Sequence, residues 1–366
     1  MDYTRLISVL ENPPAVKYPV VLPDFFVDHF VVYDQLNSLI EGLKNLAEQG
    51  GGNLLENEQF IRRGGNAVNT ASALLSLGIS PKLIVTTDQY GASLLKAFAD
   101  PELDLSHVHT DGQLSSTVSI ETQYMGRKVN LMVSDSGSAS DFAYSNLTQD
   151  DLEVIQNSGL VALVNLNHNR RGPNLAYDLF TMIRASSKAT TFMDMGDPSG
   201  NPKVIAELVR RVIRPGLVDI LGLNENEVGW VVQLLREEVG HKKITSEHPQ
   251  DWLENAKTIV DETGVCIDLH TPHYSATIDK KRTIVFPSFS VEGRVVCGAG
   301  DAWNAGDIYG TLLGLPKEDR LILANAVAAL YVSSKDASHP SISEVIGFLR
   351  SAPALSVDGT KLLKVQ

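Results

Sequence analysis

Residues 296–306 read Val296-Cys297-Gly298-Ala299-Gly300-Asp301-Ala302-Trp303-Asn304-Ala305-Gly306, a glycine-rich turn that leads directly into a helical pattern. Small or apolar residues recur three or four positions apart after Gly300, so we predict a helix from about Asp301 to about Gly314. The first amides of a helix lack internal partners, and together with the helix dipole they favour a negative group. The stretch therefore predicts an anion site at the entrance of a helix.

One carboxylate, that of Asp301, lies inside this predicted anion site. A carboxylate is a poor ligand for an anion, so it indicates a proton acceptor whose substrate reacts with the anion. That combination is typical of phosphoryl transfer to a hydroxyl. On the local pattern alone, Asp301 could instead only cap the helix. A Walker A loop is excluded because Ala299-Gly300 stands where Lys-Ser/Thr is required, and a dinucleotide fingerprint because Trp303 stands where a glycine is required.

The composition is that of an ordinary globular protein, with 366 residues of which 43% are hydrophobic and 20% charged. No apolar run approaches the roughly 20 residues that span a bilayer, so we expect no membrane contact. The start of the chain lacks a secretory pattern and only two cysteines occur, from which we expect a cytoplasmic protein. The net charge of -13 argues against a nucleic-acid partner.

Strand-like and helix-like segments alternate from residue 160 to residue 223, which predicts βαβ units around a mainly parallel sheet. Ligands of such sheets bind beyond the carboxyl ends of the strands, where His168, Asp194 and Asn224 fall. Residues 117–123 and 129–134 alternate apolar and polar side chains and predict a hairpin outside the main sheet.

Two further helix starts carry polar residues. Gly64 and Gly65 precede a helix for which we predict Asn66 as the N-cap, and capping gives no reason for Asn69 or for two consecutive glycines. Another helix begins at Asn224-Glu225-Asn226-Glu227, directly after an apolar strand. The first and last residues of this tetrapeptide could hold magnesium through its water shell, or they could form a capping box, and the local pattern leaves both interpretations open.

Taken in order, three segments resemble the signatures of the ribokinase-like (PfkB) carbohydrate kinase family: 64–69, 224–227 and 298–306. The resemblance covers roughly residues 20–349. It implies an α/β protein with a three-layer α/β/α ribokinase-like fold, a mainly parallel central sheet and a small β-rich lid. It further implies one kinase domain over residues 1–366, with lid elements at approximately 24–63 and 115–140 inserted in the α/β core.

The resemblance also implies roles for individual residues. Asp301 would be the catalytic base, Asn224 and Glu227 would position hydrated Mg²⁺ and the phosphates, and Asn325 would border the adenine. The backbone amides of the implied anion hole belong to Gly298, Ala299 and Gly300. The implied acceptor-binding residues are Asp28, Gly64, Gly65, Asn66 and Asn69.

The implied cofactors are Mg²⁺ and ATP as phosphoryl donor, with ADP as an alternative donor and a monovalent cation as an option within the family. The implied partners are a sugar-like acceptor and a nucleotide, and the lid hairpin could form a homodimer. The acceptor stays open among a sugar, a sugar phosphate, a cyclitol and a nucleoside. A non-catalytic sensor of a sugar or nucleotide is the alternative from another class.

Two segments depart from the family pattern. Many members carry a Thr-Leu-Gly-x-x-Gly turn after the strand that matches residues 265–269, where this chain reads Asp268-Leu269-His270-Thr271-Pro272-His273. The departure affects the contacts to the nucleotide phosphates. Trp303 replaces the usual Phe, which changes the size of the side chain.

Overall fold

A computed structural model describes residues 2–236, 246, 248–295, 297–357 and 359–360. The sequence also predicts a charged, irregular segment over residues 234–250, and most of it lies outside these residues. The strands in the described part of the chain are β1 Pro19–Leu22, β2 Phe26–Gln35, β3 Gln59–Gly64, β4 Lys82–Leu83, β5 Val85–Thr86, β6 Val108–His109, β7 Ser115–Tyr124, β8 Arg127–Asp135, β9 Leu160–Val164, β10 Thr190–Asp194, β11 Ile220–Asn224, β12 Cys266–His270, β13 Tyr274–Ile278 and β14 Thr283–Pro287.

The α-helices in the same residues are α1 Thr4–Glu11, α2 Leu36–Glu48, α3 Asn66–Ser76, α4 Gln89–Phe98, α5 Gln149–Asn157, α6 Gly172–Ser186, α7 Pro202–Leu208, α8 Glu225–Leu235, α9 Pro249–Thr263, α10 Ala299–Leu312, α11 Lys317–Ser333 and α12 Ile342–Arg350. Helix α7 continues into a π-helical turn, Val209–Ile213. None of the helices formed by the described residues is long and apolar enough to cross a membrane.

The central sheet has the strand order β14-β13-β12-β11-β10-β9-β1-β4. The strands from β4 to β12 in this order run parallel, and β13 and β14 are antiparallel to their neighbours. This arrangement confirms the mainly parallel sheet that the alternating segments predict. The carboxyl ends of the parallel strands therefore meet at one edge, where a ligand site is expected.

Both faces of the central sheet are covered by helices, as β9 illustrates. Leu160, Ala162 and Val164 pack into one apolar core with α3, α10 and α11. Val161 and Leu163, which point to the opposite face, pack into a second core with α6, α8 and α9. Because the strands are buried on both faces, they read as continuous apolar runs. The three-layer α/β/α fold is confirmed.

A second sheet of order β3-β2-β7-β8 lies outside the central sheet. It contains the predicted hairpin, whose strands β7 and β8 extend beyond the predicted limits and are joined by Met125 and Gly126. Both turn residues have positive φ, at 50° and 74°, as a two-residue hairpin turn with matching twist requires. Strand β2 pairs with β3 and β7, so this sheet joins chain segments from both predicted lid regions.

The prediction that Asn66 is an N-cap is wrong. Helix α3 begins at Asn66, and the residue in the cap position is Gly65, with φ of +90° and no side chain to accept a hydrogen bond. The carboxylate of Asp24 caps the helix instead, since it accepts from the backbone amides of Asn66 at 3.1 Å and Ala67 at 2.9 Å. Capping by a residue distant in the chain frees the Asn66 side chain from this task.

Candidate active site

The catalytic candidate Asp301 lies in the first turn of α10 and is 5% exposed. The residue before the helix, Gly298, has φ of +87°, a backbone conformation that residues other than glycine rarely adopt. A Cβ on Gly298 would also overlap the hydroxyl of Tyr331. The glycine-rich turn and the helix entrance are thus placed as the sequence predicts, with Ala299 and Gly300 as the first helical residues.

The electrostatic setting of Asp301 is unusual for a carboxylate. Burial raises its pKa well above the usual range, a hydrogen bond from Asn69 lowers it, and the nearby carboxylates of Asp194, Asp24 and Asp28 raise it further. The side-chain amide of Asn69 donates this bond to Oδ2 of Asp301 at 3.0 Å. The candidate base is therefore held in one orientation by a residue of α3.

The last turn of α11 holds the segment that leads into the glycine-rich turn. We call residues 297–300 of this turn the anion loop. The hydroxyl of Tyr331 donates to the carbonyl of Cys297 at 2.8 Å. The amides of Arg294 and Val295 donate to the carbonyl of Val332 at 2.7 and 3.1 Å. These bonds hold the backbone before Gly298 in place without using the first amides of α10.

The candidate acceptor residues Asp28, Gly64 and Gly65 lie where the second sheet leads into α3. The carboxylate of Asp28 lies over Gly64, where a Cβ would overlap it. Burial raises the pKa of Asp28 to about 6, although a hydrogen bond from Thr117 acts to lower it. At Gly65 a Cβ would lie 2.9 Å from the carbonyl oxygen of Asp24. The two glycines thus provide room for close backbone and carboxylate contacts.

Asn224 and Glu227 form the capping box that the sequence left open. The Asn224 Oδ1 accepts from the amides of Asn226 and Glu227, each at 2.9 Å. In return Glu227 accepts from the backbone amide and the side-chain amide of Asn224, both at 2.9 Å. Glu227 is 3% exposed, and burial, followed by the charge of Asp194, raises its pKa well above the usual range.

The same pair is compatible with a hydrated cation. The described residues contain no cluster of three or more His, Cys, Asp or Glu that could hold a metal ion directly. Asp194 and Glu227 nevertheless concentrate negative charge at the carboxyl ends of β10 and β11. A hydrated divalent cation there would relieve the repulsion between the two carboxylates. Asp194 is itself oriented by Asn304, which donates to its Oδ2 at 2.7 Å.

The adenine candidate Asn325 is buried, and both polar ends of its side chain are used within the protein. Its Oδ1 accepts from the indole of Trp303 at 2.8 Å, and its Nδ2 donates to the carbonyl of Pro287 at 3.2 Å. The residue therefore ties α11 to α10 and β14. A role beside the adenine stays a prediction.

Sequence reasoning missed two residues that organise the site. Asp24 caps α3 and also accepts from the side chain of Asn165 at 2.7 Å, and its position two residues after β1 was the available signal. Tyr331 gave no signal, because it is one aromatic residue in the apolar second half of α11. His168, predicted at a strand end, packs its ring 5.3 Å from that of Phe26.

The sequence profile of the pfkB family of carbohydrate kinases matches residues 28–344. The chain belongs to this family. It is 23% identical to ribokinase from Haemophilus influenzae over 297 aligned residues. The alignment covers 80% of this chain and 89% of that protein.

Solved structures share the fold at low identity. Arabidopsis thaliana ribokinase complexed with ribose and ATP superposes with a TM-score of 0.73 at 17% identity, over 92% of this chain and 99% of that one. Adenosine kinase from Sinorhizobium meliloti gives a TM-score of 0.66 at 17% identity, over 92% and 100% of the two chains. The fold is therefore ribokinase-like.

Proposed function

We propose that this protein transfers a phosphoryl group from a nucleotide, ATP in the first instance, to a hydroxyl of a sugar or sugar-like acceptor. The observation that carries the proposal is the buried Asp301 at the entrance of α10, oriented by Asn69 and preceded by the glycine turn. The ribokinase relative and the neighbour with bound ribose and ATP support a sugar and a nucleotide as the two substrates.

The proposed reaction uses Asp301 as a general base. The acceptor hydroxyl gives its proton to the Asp301 carboxylate while its oxygen forms a bond to the γ-phosphorus. The bond from that phosphorus to the bridging oxygen breaks, which leaves a phosphorylated acceptor and a nucleoside diphosphate. Because burial raises the pKa of Asp301, its carboxylate is a stronger base than a solvated one.

The amides of the glycine turn would stabilise the negative charge on the transferred group. Gly298, Ala299 and Gly300 precede or begin α10, where backbone N–H groups have no helical partners. Bound Mg²⁺ would neutralise phosphate charge, and Asn224 and Glu227 would hold it through water beside Asp194. We propose these roles from the donor set and its charge.

The second sheet would act as a lid over the acceptor. On the face that carries Asp28, the rings of Phe30 and Phe60 stack at 4.8 Å, and the Arg62 guanidinium lies 4.6 Å from the Phe60 ring centre. Such a roof would exclude water, which would otherwise compete with the acceptor for the phosphoryl group. In this proposal the lid and the α/β core form one kinase domain.

The opposite face of the second sheet would form a homodimer. It carries four apolar side chains, which are between 39% and 67% exposed: Ile61, Val118, Leu131 and Val133. The strand register places them on the face away from Asp28. Apolar side chains grouped on one exposed sheet face are typical of an association surface.

The test is a coupled assay of the purified protein with Mg²⁺, ATP or ADP as donor, and a panel of acceptors. The panel contains neutral sugars, sugar phosphates, cyclitols and nucleosides. Turnover with one donor and acceptor pair supports the proposal and identifies the acceptor, and a nucleoside as best acceptor would make the protein a nucleoside kinase. Binding of a sugar or nucleotide without turnover for any pair would contradict it and favour a sensor.

A further inference from the structure

His270 lies at the carboxyl end of β12 and faces the entrance of α10. In the parallel register its Cα pairs with that of Asn224. Its Nε2 lies 3.5 Å from the position that a Cβ on Gly300 would occupy. The imidazole therefore borders the same space as the candidate anion hole, on the side of the strand ends.

The ring is held by an aromatic contact and carries a buried nitrogen without a partner. The imidazole of His270 stacks on the indole of Trp303, with ring centres 4.9 Å apart and planes 25° from parallel. The indole is itself fixed by its hydrogen bond to Asn325. The Nδ1 of His270 is buried without a hydrogen-bond partner in the described residues. Buried polar atoms almost always have partners, so the protein itself leaves the hydrogen bonding of this imidazole incomplete, while its other nitrogen, Nε2, faces the entrance of α10.

The backbone amides of the loop after His270 donate to acceptors within the same loop. The hydroxyl oxygen of Thr271 accepts from the amides of His273 and Tyr274 at 3.2 and 3.0 Å, and Pro272 has no amide hydrogen. The amide of Thr271 donates to the carbonyl of Tyr274 at 3.0 Å. This turn therefore has no row of free backbone donors for a phosphate, and the side chain of His270 is the polar group left at the strand end.

We propose that His270 donates a hydrogen bond from its imidazole to a terminal phosphate oxygen of the nucleotide, with Trp303 as the residue that positions the ring. The inference rests on the proposed function, because it assumes a nucleotide whose terminal phosphate reaches the entrance of α10. It makes His270 and Trp303, the two departures from the family pattern, one functional unit. The imidazole replaces backbone contacts that the turn at Thr271 cannot supply.

The matched test compares His270→Phe with His273→Phe. Each substitution keeps a ring that can stack on a tryptophan, because His273 stacks on Trp252 with ring centres 5.9 Å apart. Only the first removes an imidazole that faces the candidate anion hole. We expect His270→Phe to lower kcat/KM for the nucleotide by about tenfold or more, because one donor to the oxygens of the reacting phosphate is lost. His273→Phe should stay within a few fold of the wild type.

A binding measurement separates this inference from the proposed function. Calorimetry gives the dissociation constants of a non-hydrolysable ATP analogue and of ADP without any turnover. Their ratio is the preference of the protein for a nucleotide that carries the terminal phosphate. His270→Phe should reduce that preference, whereas His273→Phe should keep it. Equal preference in both variants and the wild type would overturn the inference even if the protein is a kinase. A wild type that does not turn over would contradict the proposed function, and the binding comparison would still decide the role of His270.

His270→Ala guards against a steric effect of the larger ring. If this variant and His270→Phe lose the same preference while melting within a few degrees of the wild type, the imidazole donor is responsible. If His270→Ala keeps the wild-type preference, the loss in His270→Phe is steric and the inference fails. Should either variant not fold, the folded one alone is compared with His273→Phe.

Discussion

At the scale of single residues, the protonation of Asp301 sets the rate in the proposed reaction. The carboxylate accepts a proton only when it is ionised, and its raised pKa moves the loss of activity at low pH above the range of an ordinary aspartate. We therefore expect kcat/KM to fall as the pH drops, with an apparent pKa above the ordinary range of an aspartate. The hydrogen bond from Asn69 limits that rise.

Asn69→Ala tests this dependence. Loss of the hydrogen bond removes an interaction that favours the ionised carboxylate, so the acidic limb of the pH profile should move to higher pH. The measurement is kcat/KM for the acceptor between pH 5 and pH 9. A residue that only binds the acceptor would lower the whole profile, so a reduced rate with an unmoved acidic limb would contradict this role.

Tyr331→Phe tests whether the anion loop needs its anchor. The substitution keeps the ring that stacks 5.0 Å from that of His339 and removes the hydroxyl that holds the Cys297 carbonyl. We expect kcat to fall about tenfold, because misplacement of backbone donors weakens stabilisation of the transferred group. Tyr309→Phe removes a hydroxyl from another tyrosine, which is 4% exposed in α10; it is the control and should stay near the wild type. Equal kcat in both variants would show that the anchor is dispensable.

The residues that sequence reasoning found and missed differ in how far apart their partners lie. Asp301 and the glycine turn could be predicted because a helix entrance is a local pattern. The cap of α3 could not, since Asp24 lies 42 positions from Asn66. The anchor of Cys297 lies 34 positions away, in Tyr331. A single sequence gives no register between such segments.

At the scale of elements, one carboxylate joins β1, α3 and the end of β9. Asp24 is 1% exposed and accepts three hydrogen bonds, from the amides of Asn66 and Ala67 and from the side chain of Asn165. All three donors would be left in a buried region without this acceptor. The strand end and the start of α3 therefore depend on the same residue.

Asp24→Ala should lower the free energy of unfolding by about 2–4 kcal/mol, because buried donors lose their partner in addition to the usual cap. Asp88→Ala is the matched control. Asp88 caps α4 by accepting one hydrogen bond from the amide of Gly91 at 2.7 Å at a partly exposed site, so its loss should cost about 1 kcal/mol. Chemical denaturation measures the free energy of unfolding of both variants. Equal losses in the two variants would refute the three-way contact.

The elements themselves followed well from the sequence where the pattern was local. The hairpin of β7 and β8 and the helix α10 appear within a few residues of their predicted limits. The pairing of β2 with β7, which builds the second sheet, could not be predicted, because paired residues such as Phe26 and Ser115 lie 89 positions apart in the chain (115 − 26). Short strands such as β5 and β6 carry too few residues for a periodic pattern.

At the scale of the whole molecule, the proposed dimer would join two copies through the outer face of the second sheet. Val133 is 67% exposed on the edge strand β8 and pairs in register with Val118 on this face. Val133→Glu should shift the protein toward monomers, because a charge in an apolar contact is costly to desolvate. Light scattering after gel filtration measures the mass.

Val357→Glu is the control for this substitution, because Val357 is 68% exposed and lies outside the second sheet. It should leave the oligomeric state unchanged. A wild-type protein that is monomeric at all accessible concentrations would contradict the dimer, and so would a dimer that survives Val133→Glu.

The measurement that tests the central claim most directly is the turnover of Asp301→Asn beside the wild type, with the donor and acceptor that the panel identifies. Asparagine keeps the size and the possibility of hydrogen bonds but cannot accept the proton. We predict that kcat falls by about 10²–10⁴-fold while the acceptor dissociation constant changes only a few fold. Turnover in Asp301→Asn equal to that of the wild type would contradict the assignment of Asp301 as the base.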